Sequence, residues 1–82
     1  MTIRLLYFAA VRELVGIDDE VVTLPDEEIT VRDLAAWLSQ HRPALAGRLQ
    51  SVRFARNETF ASSDEALEDG DVVALIPPVA GG

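Results

Sequence analysis

The chain has 82 residues and a net charge of −7, with 14 acidic residues, seven arginines and no lysine. Hydrophobic residues make up 49% of the sequence, which predicts one small folded domain over 1–82 rather than a disordered chain. The negative charge argues against nucleic acid and anionic membranes as partners, and no stretch approaches the roughly 20 apolar residues of a membrane span. The absence of cysteine excludes disulfides and thiolate metal sites, and it fits a cytoplasmic location.

The first part of the chain predicts two strands joined by a helical turn. Residues 2–9 alternate at the two-residue period of a strand. One face carries Ile3, Leu5 and Tyr7, and the other carries Arg4, Leu6 and Phe8. A short apolar helical pattern then stops at Gly16, a residue typical of helix C-termini. A β-branched run predicts the second strand over 20–24.

The main helix is predicted to begin directly after Thr30. This residue is a favourable N-cap, and Asp33 stands where a capping box needs an acceptor. An apolar stripe at helical spacing follows, formed by Val31, Leu34, Ala35 and Leu38. The helix must end near His41, because Pro43 removes a backbone donor and disfavours helical geometry before it. Leu45 and Leu49 then suggest one further helical turn.

The rest of the chain predicts three more strands. Segments 52–56 and 59–61 flank a turn at Asn57, a residue that tolerates left-handed backbone. An apolar run over 72–76 predicts the last strand, which Pro77 ends. This order of elements predicts an α+β fold of the β-grasp type, a mixed sheet with one main helix on one face.

One face of this sheet is predicted to lack a cover. A single helix covers only one face, yet the first and last strands are apolar on both. If Ile3, Leu5 and Tyr7 point toward the helix together with the inner residues of the last strand, five apolar side chains remain outside. They are Leu6, Phe8, Val72, Ala74 and Ile76. A contiguous apolar patch of this kind indicates an interface.

The sequence carries no catalytic constellation. Its five glycines form neither a dinucleotide-binding nor a phosphate-binding loop. His41 is the single histidine, and its position predicts an interaction with the dipole at a helix end rather than a metal site or a catalytic pair. The acid-rich stretch 64–71 fails as a calcium loop, because apolar residues stand where carboxylates are required. We therefore expect no metal and no cofactor bound by this chain, and an independent enzyme is the least favoured interpretation.

The C-terminal segment 77–82, Pro-Pro-Val-Ala-Gly-Gly, remains as the candidate for chemistry. It predicts a flexible, narrow tail with no side chain at Gly81 or Gly82, which could enter a tunnel in a partner. On its own, a Gly-Gly end is more simply explained as a frayed terminus. The neighbouring apolar patch changes this balance, because its docking would aim the terminal carboxylate into the partner.

Three motifs carry a family resemblance: YFAAVRELVG at 7–16, NET at 57–59 and LEDGDVVALIPPVAGG at 67–82. Together they resemble the small subunit of molybdopterin synthase, the MoaD family. The resemblance covers the whole chain, although the middle of the chain matches only loosely. The resemblance implies a ubiquitin-like β-grasp fold and a sulfur-carrier function. It adds Phe60 to Phe8 and Ile76 as hydrophobic contacts with the large synthase subunit. The tail residues Pro77, Pro78, Val79 and Ala80 would enter that partner.

The chemistry implied by the resemblance centres on Gly82. An activating enzyme of the ubiquitin-activating type would adenylate its carboxylate with ATP, and a sulfur donor protein would supply the sulfur of a thiocarboxylate. The large subunit, in a complex of two small and two large subunits, would then pass that sulfur to cyclic pyranopterin monophosphate. Catalytic side chains would belong to the partner, and this chain would have no activity alone.

Two other kinds of protein stay open at this point. A related carrier or modifier, serving thiamin, tRNA thiolation, cysteine synthesis or protein conjugation, would share the fold and the Gly-Gly ending, although the chain length and the Pro-Pro pair favour the molybdenum pathway. An interaction domain without a carrier role would need the apolar patch but no free Gly82.

Overall fold

The computed structural model describes residues 1–78, which form seven strands, two α-helices and two 3-10 helices. The strands are β1 Thr2–Tyr7, β2 Asp19–Thr23, β3 Ile29–Thr30, β4 Arg53–Arg56, β5 Thr59–Ala61, β6 Ala66–Leu67 and β7 Val72–Ile76. The α-helices are α1 Ala9–Val15 and α2 Val31–His41, and the 3-10 helices are Pro43–Leu45 and Leu49–Ser51. Within this part of the chain, no helix has both the length and the apolar character needed to cross a bilayer.

Five strands form the main sheet in the order β2-β1-β7-β4-β5, and β3 pairs with β6 in a separate two-stranded sheet. The central pair β1 and β7 is parallel, with Arg4 opposite Val72, while the other pairs of the main sheet are antiparallel. The predicted α+β fold, a mixed sheet with a main helix on one face, is therefore confirmed.

The core lies between the inner face of the sheet and α2. Its largest fully buried side chains come from β1, β7, α2 and the first 3-10 helix, and they are Ile3, Leu5, Leu34, Leu38, Leu45, Val73 and Leu75. Alternation along β1 and β7 supplies the sheet side, and the 3.6-residue spacing of α2 supplies the helix side. The inner face between β1, β7 and α2 is therefore mainly apolar.

Helix α2 begins and ends where the sequence predicts. The Asp33 N–H donates to Thr30 Oγ1 at 3.2 Å, and the Thr30 N–H donates to Asp33 Oδ2 at 2.9 Å, which completes the capping box. At the other end, the His41 ring stacks on Trp37 and its Nδ1 lies 2.9 Å from the Trp37 carbonyl oxygen. The predicted position of His41 at the end of the helix is confirmed.

Several boundaries differ from the prediction. Strand β1 ends at Tyr7 rather than at residue 9, because Phe8 is the N-cap of α1 and Ala9 has a φ of 47°. The single turn expected after α2 is instead two separate 3-10 helices. Gly16 ends α1 as predicted, with a φ of 91° that favours glycine.

Candidate functional site

The outer face of the main sheet, opposite α2, carries a shallow cavity of about 530 Å³. Nine residues line it: Leu6, Phe8, Ala55, Asn57, Glu58, Phe60, Val72, Ala74 and Ile76. Besides the buried Ala55, six of these residues are apolar, and we call them the outer patch: Leu6, Phe8, Phe60, Val72, Ala74 and Ile76. The five residues predicted to lack a cover all belong to it.

Strand register brings the outer patch together. Leu6 lies opposite Ala74 in the parallel β1–β7 pair, and Ala74 lies opposite Ala55 in the antiparallel β4–β7 pair. Ala55 in turn pairs with Phe60 across β4 and β5. Residues in register share a face of the sheet, so this row runs across four strands. The neighbouring inner residue Leu5 is fully buried, which confirms the predicted alternation.

Two phenylalanines give the outer patch its most exposed apolar surface. Phe8 is 46% exposed and Phe60 is 53% exposed, although both line the same cavity. Ile76, at the end of β7, is half-buried and completes the set that the resemblance named. Large exposed aromatic side chains in one contiguous patch are typical of a surface that another protein covers.

The C-terminal segment leaves the sheet next to this patch. Pro77 and Pro78 follow Ile76 directly and line a small cleft with residues of α1 and the 3-10 helices, among them Leu14 and Leu45. The base of the predicted tail is therefore in contact with the folded domain. The other predicted tail residues, Val79, Ala80, Gly81 and Gly82, lie outside the described residues.

A buried carboxylate fixes the turn at one side of the outer patch. The turn between β4 and β5 has left-handed backbone at Asn57 and Glu58, with φ values of 49° and 74°. The Asn57 N–H donates to the Val72 carbonyl at 2.8 Å, and the Val72 N–H donates to Asn57 Oδ1 at 2.9 Å. The Asn57 amide also donates to Asp71 Oδ1 at 3.0 Å. The turn is thus tied to the start of β7.

Asp71 is held by donors on both of its oxygens. Besides Asn57, the Arg56 Nε donates to Asp71 Oδ2 at 2.7 Å and the Glu68 N–H donates to the same oxygen at 2.8 Å. We call these four residues, Arg56, Asn57, Glu68 and Asp71, the Asp71 clamp. Burial alone would raise the pKa of Asp71, but the hydrogen bonds from Glu68, Arg56 and Asn57 outweigh it and lower that pKa.

A second charged cluster lies on the helix side of the sheet, away from the outer patch. Glu20 accepts hydrogen bonds from the Tyr7 hydroxyl at 2.6 Å and from Arg42 Nε at 3.0 Å. The Arg42 hydrogen bond lowers the pKa of Glu20, whereas burial and the neighbouring carboxylate raise the pKa of Tyr7. Because every member has a partner, the cluster joins β1, β2 and the end of α2 rather than forming a reactive site.

Sequence reasoning missed part of this site. Ala55, Asn57 and Glu58 line the cavity. Asp71 accepts a hydrogen bond from the Asn57 side chain and so fixes its position. Alternation from the inward Phe54 could have placed Ala55 on the outer face, but nothing local indicates the contact between Asn57 and Asp71. Within residues 1–78, no group of three or more histidine, aspartate or glutamate side chains is arranged to hold a metal ion.

The chain is similar along its full length to known proteins. The molybdopterin synthase sulfur carrier subunit of Escherichia coli is 44% identical over 98% of this chain and 99% of its own length. The protein of the same name from Chlamydomonas reinhardtii is 40% identical, with both chains covered completely.

Solved structures agree in fold. SAMP1 from Haloferax volcanii superposes with a TM-score of 0.88 at 31% identity, covering all of both chains. A putative molybdopterin converting factor subunit 1 from Pyrococcus furiosus gives 0.83 at 33% identity, covering 96% of this chain and 99% of its own. The complex of subunits 1 and 2 of molybdopterin-converting factor from Helicobacter pylori contains a chain with a TM-score of 0.70 at 25% identity, and both chains are covered completely.

These likenesses agree with the observed strand order, and the fold is the ubiquitin-like β-grasp that the sequence predicts. The model of the ThiS family matches residues 5–82, which is nearly the whole chain. The chain belongs to the ThiS family.

Proposed function

We propose that this chain is the sulfur carrier subunit of a molybdopterin synthase and that Gly82 carries the sulfur. The observation that carries the proposal is the position of the outer patch: Ile76, one of its members, is followed directly by the segment 77–82. A protein that covers the patch necessarily lies beside the start of that segment. The full-length similarity to proteins named as sulfur carrier subunits supports the same function.

The carboxylate of a terminal glycine has no good leaving group, so it must be activated before sulfur can be added. A carboxylate is a poor acyl donor, so ATP first converts it to an acyl adenylate with release of pyrophosphate. A sulfur donor then displaces AMP and leaves a thiocarboxylate, whose sulfur is a nucleophile that no side chain of this cysteine-free sequence provides. Transfer of the sulfur to cyclic pyranopterin monophosphate, with oxygen returning from water, regenerates the Gly82 carboxylate.

The outer patch is the surface we assign to the large synthase subunit. The Helicobacter pylori complex pairs subunits 1 and 2 of molybdopterin-converting factor, and its matching chain has this fold. Burying Phe8, Phe60 and Ile76 against a partner would anchor the carrier, while Pro77 to Ala80 lead Gly81 and Gly82 toward the partner's catalytic side chains. We propose a complex of two small and two large subunits, with activation by an adenylyltransferase of the ubiquitin-activating type and a separate sulfur donor protein.

A second candidate function is protein modification. It is favoured by the likeness to SAMP1 of Haloferax volcanii, whose full name is small archaeal modifier protein 1. Modification would use the same adenylate but deliver Gly82 to an amine of another protein. The sequence has no lysine of its own, so it offers no side-chain amine to which a second copy could be conjugated. An isopeptide-linked product of higher mass would distinguish this function from sulfur transfer.

The test is intact-mass analysis of the protein after incubation with ATP, the activating enzyme and a sulfide source. We expect one oxygen to be replaced by sulfur, and fragmentation should place that sulfur on Gly82. A chain that lacks Gly82 is the matched control and should stay unchanged. Sulfur on another residue, or full sulfur transfer by the shortened chain, would contradict the proposal.

A further inference from the structure

The outer face carries two arginines that flank the outer patch and differ in their surroundings. Arg4, on β1, pairs with Asp19 at 2.6 Å, so its charge is balanced within the chain. Arg53, on β4, lies with its guanidinium carbon 3.9 Å from the centre of the Phe60 ring. Within residues 1–78, no carboxylate lies within 4.0 Å of Arg53.

Strand register places Arg53 at the rim of the docking surface. It lies opposite Ile76 in the β4–β7 pair, and both Ile76 and Phe60 line the outer cavity. The cation–π contact holds the guanidinium against the ring, so the two side chains present one joint surface. A partner that covers Phe60 therefore also covers part of Arg53.

Covering this guanidinium has an energetic consequence. A charge that leaves water without a partner is strongly disfavoured, whereas one that meets a hydrogen-bonded opposite charge is tolerated. The planar fork of arginine matches a carboxylate with two parallel hydrogen bonds, and it keeps its aromatic contact at the same time. The aromatic ring alone does not supply the acceptors that five N–H groups need.

We infer that Arg53 pairs with a carboxylate of the large synthase subunit and thereby sets the orientation of docking. This inference rests on the proposed function and specifies the partner's chemistry at one point of the interface. The carrier has a net charge of −7, so an acidic partner surface is repelled overall, and Arg53 offers a point of attraction at the rim of the outer patch. An isolated acidic residue opposite Arg53 therefore discriminates the correct docked position from rotated ones.

The experiment compares Arg53→Leu with Arg4→Leu by titration against the large subunit from the same organism. Both changes remove one positive charge from the same face, so they alter long-range attraction equally. We expect Arg53→Leu to raise Kd at least tenfold and Arg4→Leu to change it less than threefold. Arg53→Lys, which keeps the charge and loses the planar fork, should fall between wild type and Arg53→Leu.

A double-mutant cycle identifies the acidic partner. Each aspartate and glutamate at the large subunit's docking surface is replaced by alanine and titrated with wild type and with Arg53→Leu. One replacement should weaken wild-type binding at least fivefold and leave Arg53→Leu unaffected. Equal affinities of Arg53→Leu and Arg4→Leu, or no coupled acidic residue, would overturn the inference alone, whereas a wild-type chain that fails to bind would overturn the proposed function as well.

Discussion

Within residues 1–78, Asp71 is the one charged residue that is buried, at 6% exposure. It is tolerated because both oxygens accept hydrogen bonds, from Arg56, Asn57 and the Glu68 backbone. The sequence alone does not indicate this role, since the partner Asn57 is distant from Asp71 in the chain. Sequence periodicity predicts which face of a strand or helix a residue occupies, but it does not predict which residues from distant parts of the chain contact it.

Because of the Asp71 clamp, the free energy of unfolding should decrease at acidic pH. Because the folded-state pKa of Asp71 is lowered, its contribution is present above the unfolded pKa of about 3.9 and is lost as pH falls through the lower folded value. The free energy of unfolding should stay level from pH 7 to about pH 5 and then decrease toward pH 2. Urea unfolding of wild type and Asp71→Asn across this range checks it. We expect a smaller acid-induced loss in the variant, and equal losses would contradict the clamp.

Local sequence predicts whole elements well when a physical start or stop signal marks them. Thr30, Asp33 and Pro43 bound α2 as the sequence indicates, and Gly16 ends α1. The pair β3 and β6 was missed, because two residues are too few to show a period. Its strands exist through tertiary pairing, with Ile29 opposite Leu67.

Removing the capping box should destabilise the fold without changing its outer patch. Thr30→Ala deletes the oxygen that accepts from the Asp33 N–H, and loss of such a cap costs about 1 kcal/mol. Thr30→Ser keeps the hydroxyl and is the matched control. Chemical denaturation should show the loss for alanine only, and an alanine variant as stable as wild type would refute this role for the cap.

At the scale of the whole molecule, the sheet separates two tasks. Its inner face, with Leu5 and Val73 fully buried, forms the core, while its outer face leaves Phe8 and Phe60 exposed. The inner face was predictable from strand alternation and the stripe of α2. Phe60 was not, because β5 has only three residues, and only the family resemblance indicated it.

This separation predicts that assembly can be lost while folding is kept. Phe60→Asp places a carboxylate that reaches water in the free chain but is desolvated in the complex, so binding to the large subunit should weaken more than tenfold, at least about 1.4 kcal/mol. Val21→Asp is the control, because Val21 is 64% exposed and lies on β2 outside the cavity.

Thermal melts and titrations of both variants provide the measurement. Both should unfold close to wild type, and only Phe60→Asp should bind the large subunit more than tenfold more weakly. Unfolding caused by Phe60→Asp would place Phe60 in the core, and normal binding would remove it from the interface.

The position of β7 has a mechanical consequence. This strand, which leads into the segment 77–82, is hydrogen-bonded on one side to β1 in parallel and on the other to β4 in antiparallel orientation. If a partner binds this segment and pulls on it, the force acts along β7. The hydrogen bonds to β1 and to β4 are then sheared at the same time. Peeling an edge strand would instead break its bonds one at a time. Under the proposed function, the central position of β7 would resist a partner's pull on the end of the chain better than an edge strand would.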